Sequence, residues 1–196
     1  IISIPLSKLF NKDVGVVNDA GLISPLATDT IESNGEIVSY KYNGFENEHG
    51  EKEVIVPDLP TKGHFTRTVS FGPDGKMYVS IGSSCNVCIE KDKRSATIMR
   101  FNPDGTGGEI FATGLRNSVG LTWNSKTKDL WATDNGRDWL GDNLPPDEVN
   151  IIKENKDYGW PYCYGDKIPD PEFGNLERCK NTIAPIVELQ AHSAPL

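Results

Sequence analysis

Hydrophobic and polar residues alternate along much of the chain, a pattern typical of half-buried β-strands. The segment beginning EIVSYKYN alternates from Glu36, and VSFGPDGKMYVS predicts two strands joined by a Pro-Asp-Gly turn. TIMRFNPDGTGGEIFAT contains a second Pro-Asp-Gly turn, and VGLTWNSKTKDLWAT again predicts strand, polar turn and strand. No long stretch shows helical periodicity, and the one helical candidate, at 148–155, is short and polar. The pattern predicts an all-β chain.

The strand segments also recur along the chain. Aligning VSFGPDGKMYVS with VGLTWNSKTKDLWAT places Met77 against Leu130. A repeat of about 50 residues with several short strands per unit is typical of β-propeller blades, because a single blade cannot bury both faces without neighbours. A β-sandwich with similar hairpins is the alternative. The repeat favours a β-propeller domain over residues 35–196, and residues 1–34 stay unassigned.

Composition narrows the range of partners. The chain has 196 residues, of which 37% are hydrophobic, enough for a packed core. A net charge of −8 without a basic stripe argues against a nucleic-acid partner. No apolar run reaches the roughly 18 residues of a membrane span, and the first residues lack the pattern of a signal peptide.

Four cysteines give an indication of the compartment. Cys85 and Cys88 form a CNVC pair, and Cys163 and Cys179 flank a loop rich in Gly, Pro and Asp. An even number of cysteines in turn-rich segments favours two local disulfides and an extracellular or periplasmic location. A four-cysteine zinc site is the weaker alternative, because it would need a second CxxC pair.

Two loops carry candidate chemistry. His64 precedes a strand in GHFTRT, and a neutral imidazole can accept a proton near pH 7. Arg116 and Asn117 stand in GLRN at the corresponding position of the next repeat, where a planar guanidinium suits a carboxylate or a quinone-type oxygen. The alternative for each loop is a purely structural hydrogen-bond role.

An acidic cluster follows the second loop. The segment DNGRDWLGDNLPPDE contains Asp134, Asp138, Asp142, Asp147 and Glu148. Carboxylates so close together repel one another unless a cation or hydrogen bonds offset the charge, and hard oxygen ligands suit Ca²⁺. The spacing is not that of an EF-hand, and a solvated acidic loop is the alternative.

These motifs together resemble a known family. GLRNSVGLTW, TDNGRDWLGDNLPPDEVN, YGWPYC and AHSAPL, with GHFTRTVSFGPDGKMYVSIGSSCNVC upstream, closely resemble the glucose/sorbosone dehydrogenases. Members are soluble sugar dehydrogenases that use pyrroloquinoline quinone (PQQ) and fold as six-bladed β-propellers. The resemblance covers residues 35–196. It implies oxidation of the C1 hydroxyl of an aldose to a lactone, by hydride transfer to a calcium-activated quinone, with an external electron acceptor.

The resemblance also implies roles for individual residues. His64 matches the general base that takes the C1 hydroxyl proton, and Gly63 stands where the glucose dehydrogenases have an acid. Arg116 and Asn117 match the pair that contacts the quinone oxygens, and His192 lies in a segment that touches PQQ. The backbone carbonyls of two residues match the ligands of the activating Ca²⁺: Gly136 and Arg137. Four further residues match positions of structural calcium ligands: Asp134, Asp147, Glu148 and Tyr158.

The length of the chain sets a further expectation. At about 50 residues per blade, 196 residues supply about three to four blades of six. We therefore expect the chain to be part of a longer protein, completed by the rest of the propeller or by an oligomer partner. The alternative function is a non-catalytic, calcium-stabilised extracellular propeller that binds a carbohydrate or a protein.

Overall fold

The computed structural model describes the backbone of residues 16–17, 23–24, 31–32, 35–42, 49–65 and 67–196. Within these residues the elements are almost entirely strands. They are β1 Val16–Val17, β2 Ile23–Ser24, β3 Ile31–Glu32, β4 Glu36–Tyr42, β5 His49–Val56, β6 Val69–Phe71, β7 Met77–Ile81, β8 Thr97–Phe101, β9 Glu109–Thr113, β10 Leu121–Trp123, β11 Leu130–Asp134, β12 Asp147–Ile152, β13 Lys156–Asp157, β14 Cys163–Tyr164, β15 Ile168–Pro169, α1 Leu176–Lys180 and β16 Val187–Leu189. The prediction of an all-β chain is confirmed.

One compact unit comprises residues 1–59 and 103–106. Its antiparallel sheet has the order β3-β4-β5, and Ile37 and Val38 on β4 are fully buried. The second Pro-Asp-Gly turn ends in this unit at Gly105, where φ is +80° and an added Cβ would lie 1.8 Å from the carbonyl oxygen of Ile55, so only glycine fits. Most of the unassigned segment 1–34 lies outside the described residues, and the domain boundary at residue 35 stays a prediction.

The other unit, residues 60–102 and 107–196, holds two large sheets that we call the first and second blades, and a two-stranded sheet of β14 and β15. The first blade has the order β13-β9-β8-β7-β6, and all of its pairings are antiparallel except that of β13 with β9, which is parallel. The second blade is antiparallel with the order β10-β11-β12-β16. Met77 begins β7 and Leu130 begins β11, and each strand is the second of its blade. The predicted repeat therefore corresponds to successive blades.

The segment 148–155, the one short helical candidate in the sequence, is not a helix. Residues Asp147–Ile152 form strand β12, because residues 148–152 pair with β11 and residues 147–149 pair with β16. The one helix among the described residues, α1, has five residues and includes Cys179 at the end of the cysteine-flanked loop. Its N-cap is Asn175, whose Oδ1 accepts from the backbone N–H of Arg178 at 2.9 Å. Within the described residues no helix is long and apolar enough to cross a bilayer.

The core of this unit lies between the facing surfaces of the two blades. Tyr78 of the first blade packs edge-on against Trp123 of the second, with ring centroids 4.9 Å apart. Aliphatic and aromatic side chains from both blades surround this contact: Ile98, Phe111, Ala112, Leu115, Leu130, Ala132, Ile152 and Tyr158. Burial of such apolar surface, at about 25 cal/mol per Å², is what holds neighbouring blades together.

A long insertion separates β12 from β16. Strand β13 of this insertion pairs with β9 and so extends the first blade, although the rest of the insertion follows the second. Beyond β13, the Cys163–Cys179 disulfide links β14 to α1. Cys85 and Cys88 form the other disulfide. Both predicted disulfides are confirmed.

Candidate functional site

The two candidate loops lead into adjacent strands. The His64 loop precedes β6 and the GLRN loop precedes β10, which are the first strands of the two blades. The Thr68 hydroxyl donates to the carbonyl oxygen of Val119 at 2.5 Å and links the two segments. The repeat therefore brings the imidazole loop and the guanidinium loop to the same end of neighbouring blades.

His64 is held at one ring nitrogen. Its backbone N–H and its Nδ1 both lie at hydrogen-bond distance from the Ser83 carbonyl oxygen, at 2.9 and 3.0 Å. A carbonyl only accepts, so Nδ1 carries the proton and Nε2 keeps its lone pair. Burial, and then the positive charge of Arg116, hold the pKa of His64 below its ordinary value, against the effects of Ser83, Asp138 and Glu90. The imidazole is therefore neutral, with Nε2 as the acceptor.

Two glycines allow this arrangement. Gly63 has φ +68°, and a Cβ there would lie 2.4 Å from the Ser83 carbonyl oxygen, so no acid fits beside His64 on this backbone. At Gly82, an added Cβ would lie 2.6 Å from the Cβ of His64 and 3.0 Å from Oδ1 of Asn117. Both side chains thus lie over the same glycine.

Arg116 donates mainly to the protein itself. Its Nε and Nη2 donate to the backbone oxygen and Oδ1 of Asn86, at 2.8 and 2.9 Å. Its Nη1 donates to the carbonyl oxygens of Asn135 and Gly136, at 3.1 and 2.7 Å. A guanidinium has five N–H groups, so four of them are used here. The fifth lies on Nη2, which is 4.0 Å from a carboxylate oxygen of Asp138.

Asp134 supports the GLRN backbone. Its oxygens accept from the backbone N–H groups of Arg116 and Asn117 and from the Ser118 hydroxyl, at 2.9, 2.7 and 3.1 Å. Burial raises the pKa of Asp134 to about 7, although these three donors act in the opposite direction. Asp134 is thus a positioning group for the candidate quinone pair.

Asp147 fixes two further segments of the site. One of its oxygens accepts from the backbone N–H of Gly136 at 2.7 Å, and the other accepts from that of Ala194 at 2.8 Å. Ala194 follows His192, so a single buried carboxylate holds both the predicted calcium carbonyl and the His192 segment.

Glu148 lies in a second, desolvated environment. It accepts from the backbone N–H of Gly165 at 2.8 Å and from Nδ2 of Asn150 at 3.0 Å. Burial and then the negative charge of Asp134 raise the pKa of Glu148 to about 8. Oδ1 of Asn150 is buried and has no hydrogen-bond partner among the described residues. Two buried acids and an unpaired oxygen are a set of hard ligands, and the positive charge of Arg116 near Asp134 does not offset the effect of burial on its pKa.

Two predicted calcium ligands use their side chains elsewhere. The Arg137 guanidinium donates from Nη1 to the buried carboxylate of Asp170 at 3.0 Å, which leaves only its backbone carbonyl for a cation. The Tyr158 hydroxyl donates to the Ile151 carbonyl oxygen at 2.6 Å and accepts from the Lys153 N–H at 2.8 Å, inside the core.

His192 lies at the exposed edge of the same region. Its Nε2 is 3.0 Å from the Gly141 carbonyl oxygen, and its Nδ1 is 3.8 Å from a carboxylate oxygen of Asp138. Asp138 therefore lies between His192 and Arg116. The structure brings His64, Arg116 and Asn117 together, and joins His192 to them through Asp138.

Sequence reasoning missed two residues of this region. Ser83 anchors the imidazole and Asn86 holds the guanidinium. The only local signal for Asn86 was its position between Cys85 and Cys88.

Comparisons with known proteins agree with the fold and the motifs. The chain matches the Glucose / Sorbosone dehydrogenase family model over residues 26–195. An uncharacterized protein of Borreliella burgdorferi is 44% identical over 147 residues, which cover 73% of this chain and 38% of that protein. The aldose sugar dehydrogenase YliI of Escherichia coli is 27% identical over 136 residues, which cover 59% of this chain and 35% of that protein.

Solved structures share the architecture. The holo form of the pyranose dehydrogenase PQQ domain from Coprinopsis cinerea superposes with a TM-score of 0.67 at 18% identity, covering 93% of this chain and 61% of that one. The β-propeller prediction is thereby confirmed. This chain spans between about a third and two thirds of the length of these relatives. With a family match over most of its residues and the site motifs in place, the chain belongs to the glucose/sorbosone dehydrogenase family.

Proposed function

We propose that the protein containing this chain oxidises the C1 hydroxyl of an aldose to a lactone, with PQQ as the hydride acceptor and Ca²⁺ as its activator. The observation that carries the proposal is the neutral imidazole of His64, with Nε2 as a proton acceptor, beside the buried cation of Arg116. Two relatives support the substrate and the cofactor by their names, an aldose sugar dehydrogenase and a PQQ domain.

His64 acts as the general base in this proposal. Nε2 takes the proton of the C1 hydroxyl while the C1 hydrogen leaves as hydride, so the sugar loses two electrons and two hydrogens overall. The Ser83 carbonyl oxygen at 3.0 Å from Nδ1 keeps the ring in the required tautomer. A pKa held below its ordinary value favours the unprotonated base near neutral pH.

The cation and amide beside His64 fit an anionic, oxygen-rich cofactor. Arg116 provides a buried positive charge and one remaining N–H, and Asn117 provides its side-chain amide. His192 lies at the edge of this region and would contact the cofactor from there. When bound, PQQ supplies the carbonyl that accepts a hydride.

A structural Ca²⁺ fits the acidic pair. Asp134 and Glu148 are both buried with raised pKa values, and the charge of Asp134 disfavours ionisation of Glu148. Oδ1 of Asn150 adds an unpaired hard oxygen at the same place. A divalent cation would lower both pKa values by direct charge interaction. The family resemblance implies Asp147 and Tyr158 as further ligands, although the bonds of the Tyr158 hydroxyl to Ile151 and Lys153 leave only its backbone carbonyl for a cation.

The activating Ca²⁺ is assigned to the backbone carbonyls of Gly136 and Arg137. Oδ1 of Asn135, which precedes them, is buried and has no hydrogen-bond partner among the described residues, so a hard oxygen ligand is available there. The Gly136 carbonyl already accepts from Arg116 at 2.7 Å, so a cation on this oxygen would share it with the guanidinium. Such a cation would polarise the quinone as a Lewis acid.

The proposed setting is extracellular or periplasmic, and the two disulfides support it. An external electron acceptor would reoxidise the cofactor. The remaining blades, from the rest of the protein or from an oligomer partner, would complete the ring.

A second candidate function follows from the hydrogen bonds that the Arg116 guanidinium makes within the protein. Because four of its five N–H groups bond to the protein, Arg116 also fits a structural role in a calcium-stabilised propeller that binds a carbohydrate or a protein without catalysis.

One experiment separates the two functions. The full protein is incubated with PQQ and Ca²⁺, and quinone absorbance of the protein and aldose-dependent dye reduction are measured. The dehydrogenase binds quinone and reduces dye, and His64→Gln lowers kcat by about 10²- to 10⁴-fold with quinone still bound. Thr127→Ala, in the distal turn of the second blade, is the control. Absence of quinone binding, with a Tm that Ca²⁺ still raises, would establish the non-catalytic function.

A further inference from the structure

The loop closed by the Cys85–Cys88 disulfide contacts the guanidinium of Arg116. Asn86 lies between the two cysteines and provides two of the four oxygens that accept from Arg116, one from its backbone and one from its side chain. Each bond involves a charged donor, and such bonds are stronger than those between neutral groups. A single residue therefore determines half of the hydrogen bonds that direct this cation.

Asn86 also holds the acidic segment on the other side of Arg116. Its Oδ1 accepts from the backbone N–H of Asp138 at 2.8 Å, and its Nδ2 is 3.3 Å from the Asp138 carbonyl oxygen. The amide thus pairs with both backbone groups of Asp138, whose carboxylate lies 4.0 Å from Arg116. This pairing fixes the distance between the guanidinium and its nearest carboxylate.

The disulfide loop is in turn anchored to the His64 loop. The Ser83 hydroxyl donates to the Cys85 carbonyl oxygen at 2.7 Å and accepts from the Cys85 N–H at 3.1 Å. The carbonyl of the same Ser83 holds Nδ1 of His64. On the far side, the hydroxyl and N–H of Ser84 donate to the Glu90 carboxylate at 2.5 and 2.8 Å. The loop that carries Asn86 is therefore closed covalently and fixed at its base.

We propose that Asn86 is a positioning residue that sets the direction of the Arg116 guanidinium relative to His64, and that the Cys85–Cys88 disulfide holds Asn86 in the conformation that does so. The inference deepens the proposed function, and rests on it only for the contact between Arg116 and the quinone. Without the Asn86 amide, Nη2 of Arg116 loses its only hydrogen bond among the described contacts and turns toward other acceptors.

The first test needs no cofactor. The NMR signal of His64 can be assigned with a His64→Gln variant and followed against pH in the cofactor-free full protein. Arg116 lowers the pKa of His64, whereas Asp138 and Glu90 raise it. Displacement of the guanidinium in Asn86→Ala therefore raises the His64 midpoint. Asn124→Ala, which removes a side-chain oxygen that accepts from Lys126 and Thr127 in a turn, leaves the midpoint unchanged.

The second test uses the PQQ- and Ca²⁺-loaded protein. Asn86→Ala lowers kcat about ten- to hundredfold with a smaller change in KM for the sugar, and moves the acidic limb of the rate profile to higher pH. Cys85→Ser/Cys88→Ser, which keeps Asn86 but opens the loop, gives the same changes in direction. If Asn86→Ala does not fold, the double cysteine variant still tests whether the loop that carries Asn86 positions Arg116.

The outcomes are distinct. An unchanged or lowered His64 midpoint in both variants overturns the role of Asn86, whatever the activity. If the wild-type protein binds no quinone, the proposed dehydrogenase function is refuted. The cofactor-free titration of His64 still tests whether Asn86 positions Arg116.

Discussion

Replacing Gly82 by alanine should disable the site by moving two of its side chains. The added Cβ would lie 2.6 Å from the Cβ of His64 and 2.7 Å from its carbonyl oxygen, about 0.8 Å short of the 3.4 Å at which ordinary contact begins. Oδ1 of Asn117 would lie 3.0 Å from the same Cβ. Gly82 has no positive φ, so the effect is one of space and not of backbone conformation.

His64 cannot move away from the added Cβ without losing hydrogen bonds of its backbone. Its backbone N–H donates to Ser83, and its carbonyl oxygen accepts from Arg67 at 2.7 Å. A misplacement near 1 Å can cost about 10²-fold in rate, so Gly82→Ala should lower kcat about 30- to 100-fold. Overpacking should also lower the free energy of unfolding by about 1–3 kcal/mol.

The assay is aldose-dependent dye reduction by the PQQ- and Ca²⁺-loaded protein, with urea unfolding in parallel. Gly75→Ala is the matched control: its φ of +76° costs about 1–2 kcal/mol, but no atom lies within 4 Å of the added Cβ. The Gly75→Ala protein should have a lower free energy of unfolding and an unchanged rate of dye reduction. A folded Gly82→Ala protein with a rate within threefold of wild type would refute the assignment of His64 and Asn117 to one site over this glycine.

Three further predictions concern stability and pH. Arg137→Met leaves the buried Asp170 carboxylate without its ion-pair partner, so the free energy of unfolding in urea should fall by about 3–5 kcal/mol; wild-type stability would contradict a buried pair. Cys163→Ser/Cys179→Ser should lower it by about 3 kcal/mol, because the disulfide closes a loop with a sequence separation of 16; an equal Tm would exclude this. The pKa of His64 is lowered on folding, so below about pH 6.5 the unfolded chain binds the proton first, and the contribution of His64 to stability falls as pH decreases. The raised pKa values of Asp134 and Glu148 act in the opposite direction over the same range, so the histidine is read as a difference between two proteins. Between about pH 7.5 and 5.5 the free energy of unfolding in urea should change less favourably in wild type than in His64→Gln; equal changes would oppose this.

The strands and turns were predictable because their signals are local. Alternation and the Pro-Asp-Gly turn around Gly75 need only neighbouring residues, and β6, β7, β10 and β11 form as expected. The sequence leaves 148–155 as a helical candidate because a short, mixed segment has no clear period, and its strand form depends on pairing with β11. Helix α1 depends on its N-cap, and strand β13 forms by pairing with the distant strand β9. Neither of these causes produces a periodic pattern in the sequence.

The site was predictable only in part. The repeat placed His64 and Arg116 at equivalent positions of adjoining blades, and the structure brings them together. Sequence cannot distinguish a carboxylate that binds a cation from one that holds a backbone segment, and Asp147 accepts from two backbone N–H groups. The contact between Asn86 and Arg116 joins two loops 30 residues apart, so it follows from the packing of the blades and not from any local motif.

The parallel pairing of β13 with β9 has a mechanical consequence. The chain leaves the second blade, adds a short strand to the first, and continues through backbone hydrogen bonds from Tyr158 to Thr113 and from Trp160 to Gly114. Any motion that separates the two blades must break these hydrogen bonds, which reach Gly114, the first residue of the GLRN loop. Thermal fluctuation should therefore leave the spacing between imidazole and guanidinium nearly constant, and slow hydrogen exchange at the Tyr158 amide would report that stiffness.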